Sequence, residues 1–339
     1  MNNNITPKVS IIVPVFQVEK YIRNTIISIL NQTMKDIEVI LVDNNTKDKS
    51  IEIAEELLNK GGVKFLTVKQ DKQGLAATRN KGFEVAKGEW VISIDSDDVI
   101  SPVFIEELYI YGVKNDLVCV TTKYRYVNDE KKLFAFPEEI EQNKLHCLSS
   151  KEARDNYLLR KLPIMITNTI FKKSFLDNEK LRLDEEMIFG ADLAFMWLVL
   201  IKLQKIGLVN KTLYNYYNRP DSLMTAPSMS KIESRISGFN RLRDKLSGFI
   251  DNKYIDWIVY REILGLIATL SQYGNYSYLK KGYNEYFTRE MYNTLLSFPD
   301  NKIKMQVVIL KMSPYFYNIL NRYIRNNKVI NKFLTKYRF

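Results

Sequence analysis

The chain has 339 residues, 46% hydrophobic and 26% charged, and a formal net charge of +11. That length exceeds one average domain, and the apolar content excludes an intrinsically disordered chain. Its two cysteines, Cys119 and Cys147, stand far apart and outside any CxxC or Cys/His pattern, which excludes a disulfide framework and a zinc site and fits a reducing compartment.

The opening MNNNITPKVS has no basic stretch followed by an apolar run, and no later segment reaches the roughly 18 apolar residues that span a bilayer. Neither export nor membrane integration is expected. In chain order, the next hundred residues predict a strand over 9–15, a helix over 19–31, a strand over 38–42, a helix over 48–59, a strand over 63–68, a helix over 75–86 and a strand over 90–94. Ile11-Ile12-Val13 and Val39-Ile40-Leu41-Val42 are near-continuous apolar runs, as strands covered on both faces require. The alternation is that of βαβ units around a mostly parallel, Rossmann-like sheet, so the fold class is α/β.

Residues 100–225 are mixed, with a helix after Pro102, a strand over 117–122, a helix from Ala191 to about Gln204 and a tyrosine-rich run over 213–218. Beyond about Lys231 the strand signals fade and helical periodicity prevails. Twelve of the 21 tyrosines follow Asp251, which marks a separate helical region.

Ile94-Asp95-Ser96-Asp97-Asp98 runs an apolar strand straight into carboxylates, at the strand end where open α/β sheets bind ligands. Asp95 and Asp97 can hold a hard divalent cation together with a diphosphate, and they can equally be an Asp-rich turn before the next helix. The strand over 38–42 delivers Asp43 into the polar loop Asn44-Asn45-Thr46-Lys47-Asp48, where a carboxylate can accept hydrogen bonds from a base or ribose or cap a turn. The first strand ends in Pro14-Val15-Phe16, whose aromatic ring can stack on a base or pack in the core. Gly74 opens a helix with Arg79 in its second turn, and helix N-termini and guanidinium groups both attract phosphates.

The ordered set IIVPVF, YIRNTIISILNQT, IEVILVDNNTKDKS, GLAATRNKG and GEWVISIDSDD, over about residues 8–100, resembles the family 2 glycosyltransferases, which have the GT-A fold. The resemblance implies that Phe16 packs on a nucleobase, Asp43 hydrogen-bonds it and Arg79 helps hold the nucleotide. It also implies that Asp95 and Asp97 are the DxD pair, contacting the ribose and a diphosphate bound to Mn²⁺ or Mg²⁺. Four positions depart from the family pattern: Phe16 for tyrosine, Asn44-Asn45 for aspartate and glycine, and Thr78 for alanine.

Downstream, Phe189-Gly190-Ala191-Asp192 matches the family's glycine-glutamate-aspartate motif with Ala191 in place of the glutamate. The resemblance implies that Asp192 is the base of an inverting transfer; read by itself, Asp192 simply favours a helix N-terminus. Arg219, in Tyr214-Asn215-Tyr216-Tyr217-Asn218-Arg219-Pro220, matches a stretch that closes over the diphosphate. The only histidine, His146, lies far upstream and is expected to be an ordinary surface or core residue. The implied organisation is a nucleotide-sugar half over 1–100, an acceptor half over 101–228 and a helical region over 229–339.

Residues 301–339 contain nine Lys or Arg and no Asp or Glu, and so carry nine of the eleven net charges. Arg325, Lys328, Lys332 and Lys336 recur at helical spacing, with Ile330, Phe333, Leu334 and Tyr337 largely elsewhere around the helix. Such a helix either anchors on anionic lipid at the inner membrane face or packs on the protein or on a second copy in a homodimer. Nucleic acid is not an expected partner, because its phosphates would be repelled by the DSDD cluster. The resemblance implies as partners a UDP-sugar donor and a saccharide or lipid-linked acceptor in surface polysaccharide or glycolipid assembly. A catalytically inactive nucleotide-sugar-binding module is an alternative. A nucleotidylyltransferase is another, although Pro14-Val15-Phe16-Gln17-Val18-Glu19 is not the glycine-rich basic loop that activity needs.

Overall fold

The structure is a computed structural model that describes residues 6–137, 146–219, 229–273 and 276–326. The chain runs β1 (Val9–Val15), α1 (Ile22–Leu30), β2 (Ile37–Asp43), α2 (Ser50–Gly61), β3 (Phe65–Lys69), α3 (Leu75–Val85), β4 (Trp90–Ser93), β5 (Val99–Ile100) and α4 (Phe104–Lys114). It continues through β6 (Cys119–Val127), β7 (His146–Ser149), α5 (Ser150–Leu158), β8 (Thr169–Lys172), α6 (Lys173–Asn178), α7 (Ala191–Lys202) and β9 (Lys205–Tyr217). Helices α8 (Met229–Leu246), α9 (Asn252–Tyr273), α10 (Tyr276–Tyr286), α11 (Arg289–Leu296), α12 (Asn301–Met312) and α13 (Pro314–Asn326) follow.

The strands form one nine-stranded sheet in the order β3-β2-β1-β4-β8-β6-β9-β5, with β7 paired to β9. β3, β2, β1 and β4 are mutually parallel, while β8 joins β4 antiparallel and the remaining strands are mixed. Every residue of β1 is buried, because helices cover both faces of the parallel block. Helix α3 lies close to β1 because of Gly82, where an added Cβ would meet the fully buried Ile12 Cγ2 at 2.3 Å. Parallel registry places Val15 beside Asp43 and Ile12 beside Ser93, so the carboxyl ends of β1, β2 and β4 share one edge.

The α/β expectation holds, with local differences that have physical causes. The first helix begins at Ile22 rather than at residue 19. The N–H groups of Gln17, Val18 and Glu19 are taken by the side chains of Thr46 (2.7 Å), Ser50 (2.9 Å) and Asp48 (3.0 Å), which hold that stretch as a loop. β8 has only four residues, and the first half of β9 interleaves lysines with its apolar residues, so neither carries a strong strand pattern.

Two compact units are formed, one of residues 1–155, 163–186 and 191–219, the other of 156–162, 187–190 and 220–339. The second unit is helical in its described residues. Its core holds Trp257, packed edge-to-face on Phe298 with ring centroids 5.7 Å apart, and the buried Arg261 paired with Glu262. No described helix is long and apolar enough to cross a membrane. The basic stripe at Lys328, Lys332 and Lys336, with Ile330, Phe333, Leu334 and Tyr337, lies outside the described residues.

Candidate active site

The candidate residues all lie in the first unit. Three strand ends supply the edge: Phe16 follows β1 and is half-exposed, Asp43 closes β2, and Asp95 and Asp97 follow β4. Asp43 Oδ1 accepts from Thr46 N–H at 2.8 Å in a local turn, which leaves Oδ2 directed away from that bond.

Asn44, one of the departures from the family pattern, joins the loops of this edge. Its side-chain amide donates to the carbonyls of Gln70 (3.2 Å) and Lys72 (2.9 Å), and its Oδ1 accepts from Gly74 N–H (2.8 Å) and Gln73 Nε2 (3.0 Å). Gly74, at φ +138°, thus enters α3 from a position fixed by β2. Thr78, the other polar departure, donates back to the Gly74 carbonyl at 2.8 Å. Glu185 and Glu186 pair with Lys72 at 3.3 and 2.7 Å and tie the same loop from another side.

At the centre stands Arg79, 1% exposed. Its Nη2 donates to Asp95 Oδ1 at 2.6 Å, its Nη1 to Asp192 Oδ1 at 2.5 Å, and its Nε to Ser93 Oγ at 3.3 Å. Burial would push the guanidinium down, but the charges of Asp192 and Asp95 hold it above its ordinary value. A buried cation of this kind persists only when paired and hydrogen-bonded, and two carboxylates distant in sequence meet that condition here. Asp192 lies in the first turn of α7, after Gly190 at φ +83°, and remains 47% exposed. Arg79, expected to help hold the nucleotide, donates here to these carboxylates and to Ser93.

Beside this triad, Arg219 Nε is 3.1 Å from Asp97 Oδ2, and its guanidinium carbon lies 5.2 Å from the Tyr21 ring centroid. Asp98 is buried, accepting from Tyr214 O–H at 2.5 Å and from Tyr217 N–H at 2.8 Å. Burial, then the charges of Asp97 and Asp95, raise its carboxyl well above the usual range. Ser96, between the two aspartates in sequence, is also buried, and Pro14 and Val15 are the last two residues of β1, both buried. His146 is exposed at the start of β7, as expected of an ordinary surface residue.

The structure thus groups Asp95, Asp97, Asp192, Arg79 and Arg219, with Phe16 and Asp43 on the neighbouring strand ends. No group of three or more His, Cys, Asp or Glu among the described residues could cage a metal ion. Asp95 and Asp97 form an all-oxygen pair, and this fits a hard cation whose remaining positions come from a diphosphate and water. Sequence reasoning missed the roles of Asn44, Asp98 and Tyr214; a third carboxylate following Asp95 and Asp97 was the only signal for Asp98.

Residues 10–178 match the model of Glycosyl transferase family 2. The uncharacterised glycosyltransferase EpsJ of Bacillus subtilis is 28% identical over 65% of this chain and 64% of its own length. The poly(ribitol-phosphate) β-N-acetylglucosaminyltransferase TarP of Staphylococcus aureus is 30% identical over 62% of each chain. The chain thus spans less than two thirds of the length of these curated relatives. The crystal structure of S. aureus TarS residues 1–349 with UDP-GlcNAc superposes with a TM-score of 0.62 over 93% of this chain and 89% of that one; at 20% identity the likeness is one of fold.

Asp98 generates a pH prediction. A carboxyl raised by folding supports the native state fully below its unfolded value of about 4 and loses that support as pH rises through the folded value. Relative to Asp98→Asn, the wild type should therefore lose unfolding free energy as pH rises above about 4. Urea titrations across pH check this, and parallel stability curves for the two proteins would contradict it.

Proposed function

We propose that this chain, whose residues 10–178 match glycosyl transferase family 2, is a glycosyltransferase of that family that moves a sugar, with inversion, from a uridine diphosphate sugar to a hydroxyl of a saccharide or lipid-linked acceptor. The observation that carries this reading is the single buried guanidinium of Arg79 shared by Asp95 and Asp192. It sets a diphosphate-side carboxylate and a half-exposed carboxylate on opposite arms of one rigid fork. TarS was solved with UDP-GlcNAc and TarP is named as an N-acetylglucosaminyltransferase, which supports a UDP-sugar donor and a role in polysaccharide assembly.

In this mechanism Phe16 stacks on the uracil, and Asp43 Oδ2 accepts from its N–H. Asp95 and Asp97 face the ribose and the diphosphate, and Arg219 can exchange its contact with Asp97 for a phosphate oxygen. Mg²⁺ or Mn²⁺, held by Asp95 and Asp97, would neutralise charge on the leaving diphosphate when bound. The acceptor oxygen bonds to the anomeric carbon as the bond from that carbon to the phosphate oxygen breaks. The electron pair of that bond leaves with UDP, and the acceptor proton passes to Asp192 Oδ2. Arg79 keeps Asp192 Oδ1 occupied and so turns Oδ2 outward.

Donor turnover measured as UDP release, with UDP binding by calorimetry, tests this assignment. Asp192→Asn should lower kcat about 10²- to 10⁴-fold with UDP affinity retained, whereas Asp97→Asn should weaken metal-dependent UDP binding. Wild-type protein that binds UDP yet turns over no UDP-sugar would favour an inactive binding module, the reading that Ala191 keeps open.

The same reading places the protein at the inner face of the cell membrane. Helix α13 supports this, because Tyr315, Phe316, Ile319 and Tyr323 form an exposed apolar face alongside exposed Arg322 and Lys311. Aromatic and basic residues together suit an anionic lipid surface. Wild-type protein should sediment with phosphatidylglycerol vesicles at low salt and be released by 0.5 M salt or by Phe316→Asp with Ile319→Asp. No sedimentation at low salt, or retention by the double variant, would contradict the anchor.

A further inference from the structure

A row of three tyrosines leads away from the carboxylates. Tyr216 on β9 is opposite Tyr126 on β6 in the parallel register, with ring centroids 5.2 Å apart, and Tyr126 is 5.6 Å from Tyr124. The contacts are edge-to-face, so the rings build a continuous aromatic wall instead of a closed stack. Tyr126, the middle ring in contact with both others, nevertheless remains 62% exposed.

The inner end reaches the candidate active site. Tyr216 lies between Tyr214 and Tyr217, whose O–H and N–H both bond Asp98. Burial first, then the charges of Asp95, Asp98 and Asp97, push the Tyr216 phenol above its ordinary value, as nearness to the carboxylates requires. The strand order separates this row from the nucleotide end. β1 and β2, carrying Phe16 and Asp43, lie on one side of β4, whereas β6 and β9, carrying the tyrosines, lie beyond β8 on the other.

We propose that Tyr126, flanked by Tyr124 and Tyr216, is the platform on which the acceptor's pyranose ring stacks, on the β9 side of the candidate active site. The proposal rests on the glycosyl-transfer reading and adds where the acceptor lies. A pyranose presents a face of C–H groups and a rim of hydroxyls. A tyrosine ring covers the face while its phenol and neighbouring polar groups bond the rim, the usual make-up of a small-ligand site. The contact of exposed Tyr126 with Tyr216 leads to the part of β9 that bonds Asp98, so a ring stacked at Tyr126 can extend a hydroxyl inward towards the reacting centre.

Saturation-transfer difference NMR tests the platform with methyl β-D-glucopyranoside, methyl β-D-galactopyranoside and methyl N-acetyl-β-D-glucosaminide, each with UDP and Mg²⁺ present. At least one glycoside should receive saturation on its ring protons in the wild type. That signal should fall at least threefold in Tyr126→Ala and be kept in Tyr126→Phe, with calorimetric UDP affinity unchanged in both. Absence of signal for all three glycosides, or an undiminished signal in Tyr126→Ala, overturns the platform. A Tyr126→Ala variant that weakens only UDP-N-acetylglucosamine, with UDP and glycosides unaffected, also overturns it, by assigning the wall to the donor sugar. Failure of the wild type to bind UDP or any UDP-sugar would instead remove the glycosyl-transfer reading itself.

Discussion

The guanidinium of Arg79 is fully buried at the carboxyl edge of a parallel sheet, and an isolated charge in that position would be prohibitively costly. Its stability depends on Asp95 from the β4 loop and Asp192 from the start of α7, which bond its two terminal nitrogens. The dependence is mutual, because either carboxylate gains a fixed direction only from the same planar fork. Gly82 permits α3 to lie close enough to β1 for Arg79 to reach the edge, and Ser93 on β4 receives its third donor. Local chain geometry, core packing and the chemistry of the site thus meet at one side chain.

A second constraint acts one residue past Asp97. Asp98 turns inward, away from any ligand, and accepts from Tyr214 and Tyr217 of β9. Strand β9 is thereby held against the β4 loop, and Arg219, two residues beyond Tyr217, arrives at Asp97. The three carboxylates of Asp95-Ser96-Asp97-Asp98 accordingly divide into two that stay partly exposed and pair with arginines, Asp95 and Asp97, and one that is buried as a structural anchor, Asp98. Burial separates them where charge does not.

The parallel half of the fold was legible in the sequence because strands covered on both faces leave unbroken apolar runs, as at Ile11-Ile12-Val13. Asp43, Asp95 and Asp97 were legible as polar residues abruptly ending such runs. β8 and β9 were not, since short or bulged mixed strands take their pairing from distant partners and keep no strict period. The role of Asn44 was hidden for a related reason. A departure from a family pattern marks a lost contact in sequence terms, whereas its amide makes four hydrogen bonds to a loop about 26 to 30 residues away. Arg79 was visible as a site residue, but its burial, and so its partners, were properties of the packed helix.

The sharing of one guanidinium is open to direct measurement by a double-mutant cycle on unfolding free energy with Asp95→Asn, Asp192→Asn and the pair. Either single variant leaves Arg79 one carboxylate, while the double leaves a buried cation with none. The double variant should therefore lose more stability than the sum of the singles, by about 0.5–3 kcal/mol. Additivity to within about 0.5 kcal/mol would contradict the shared-cation account.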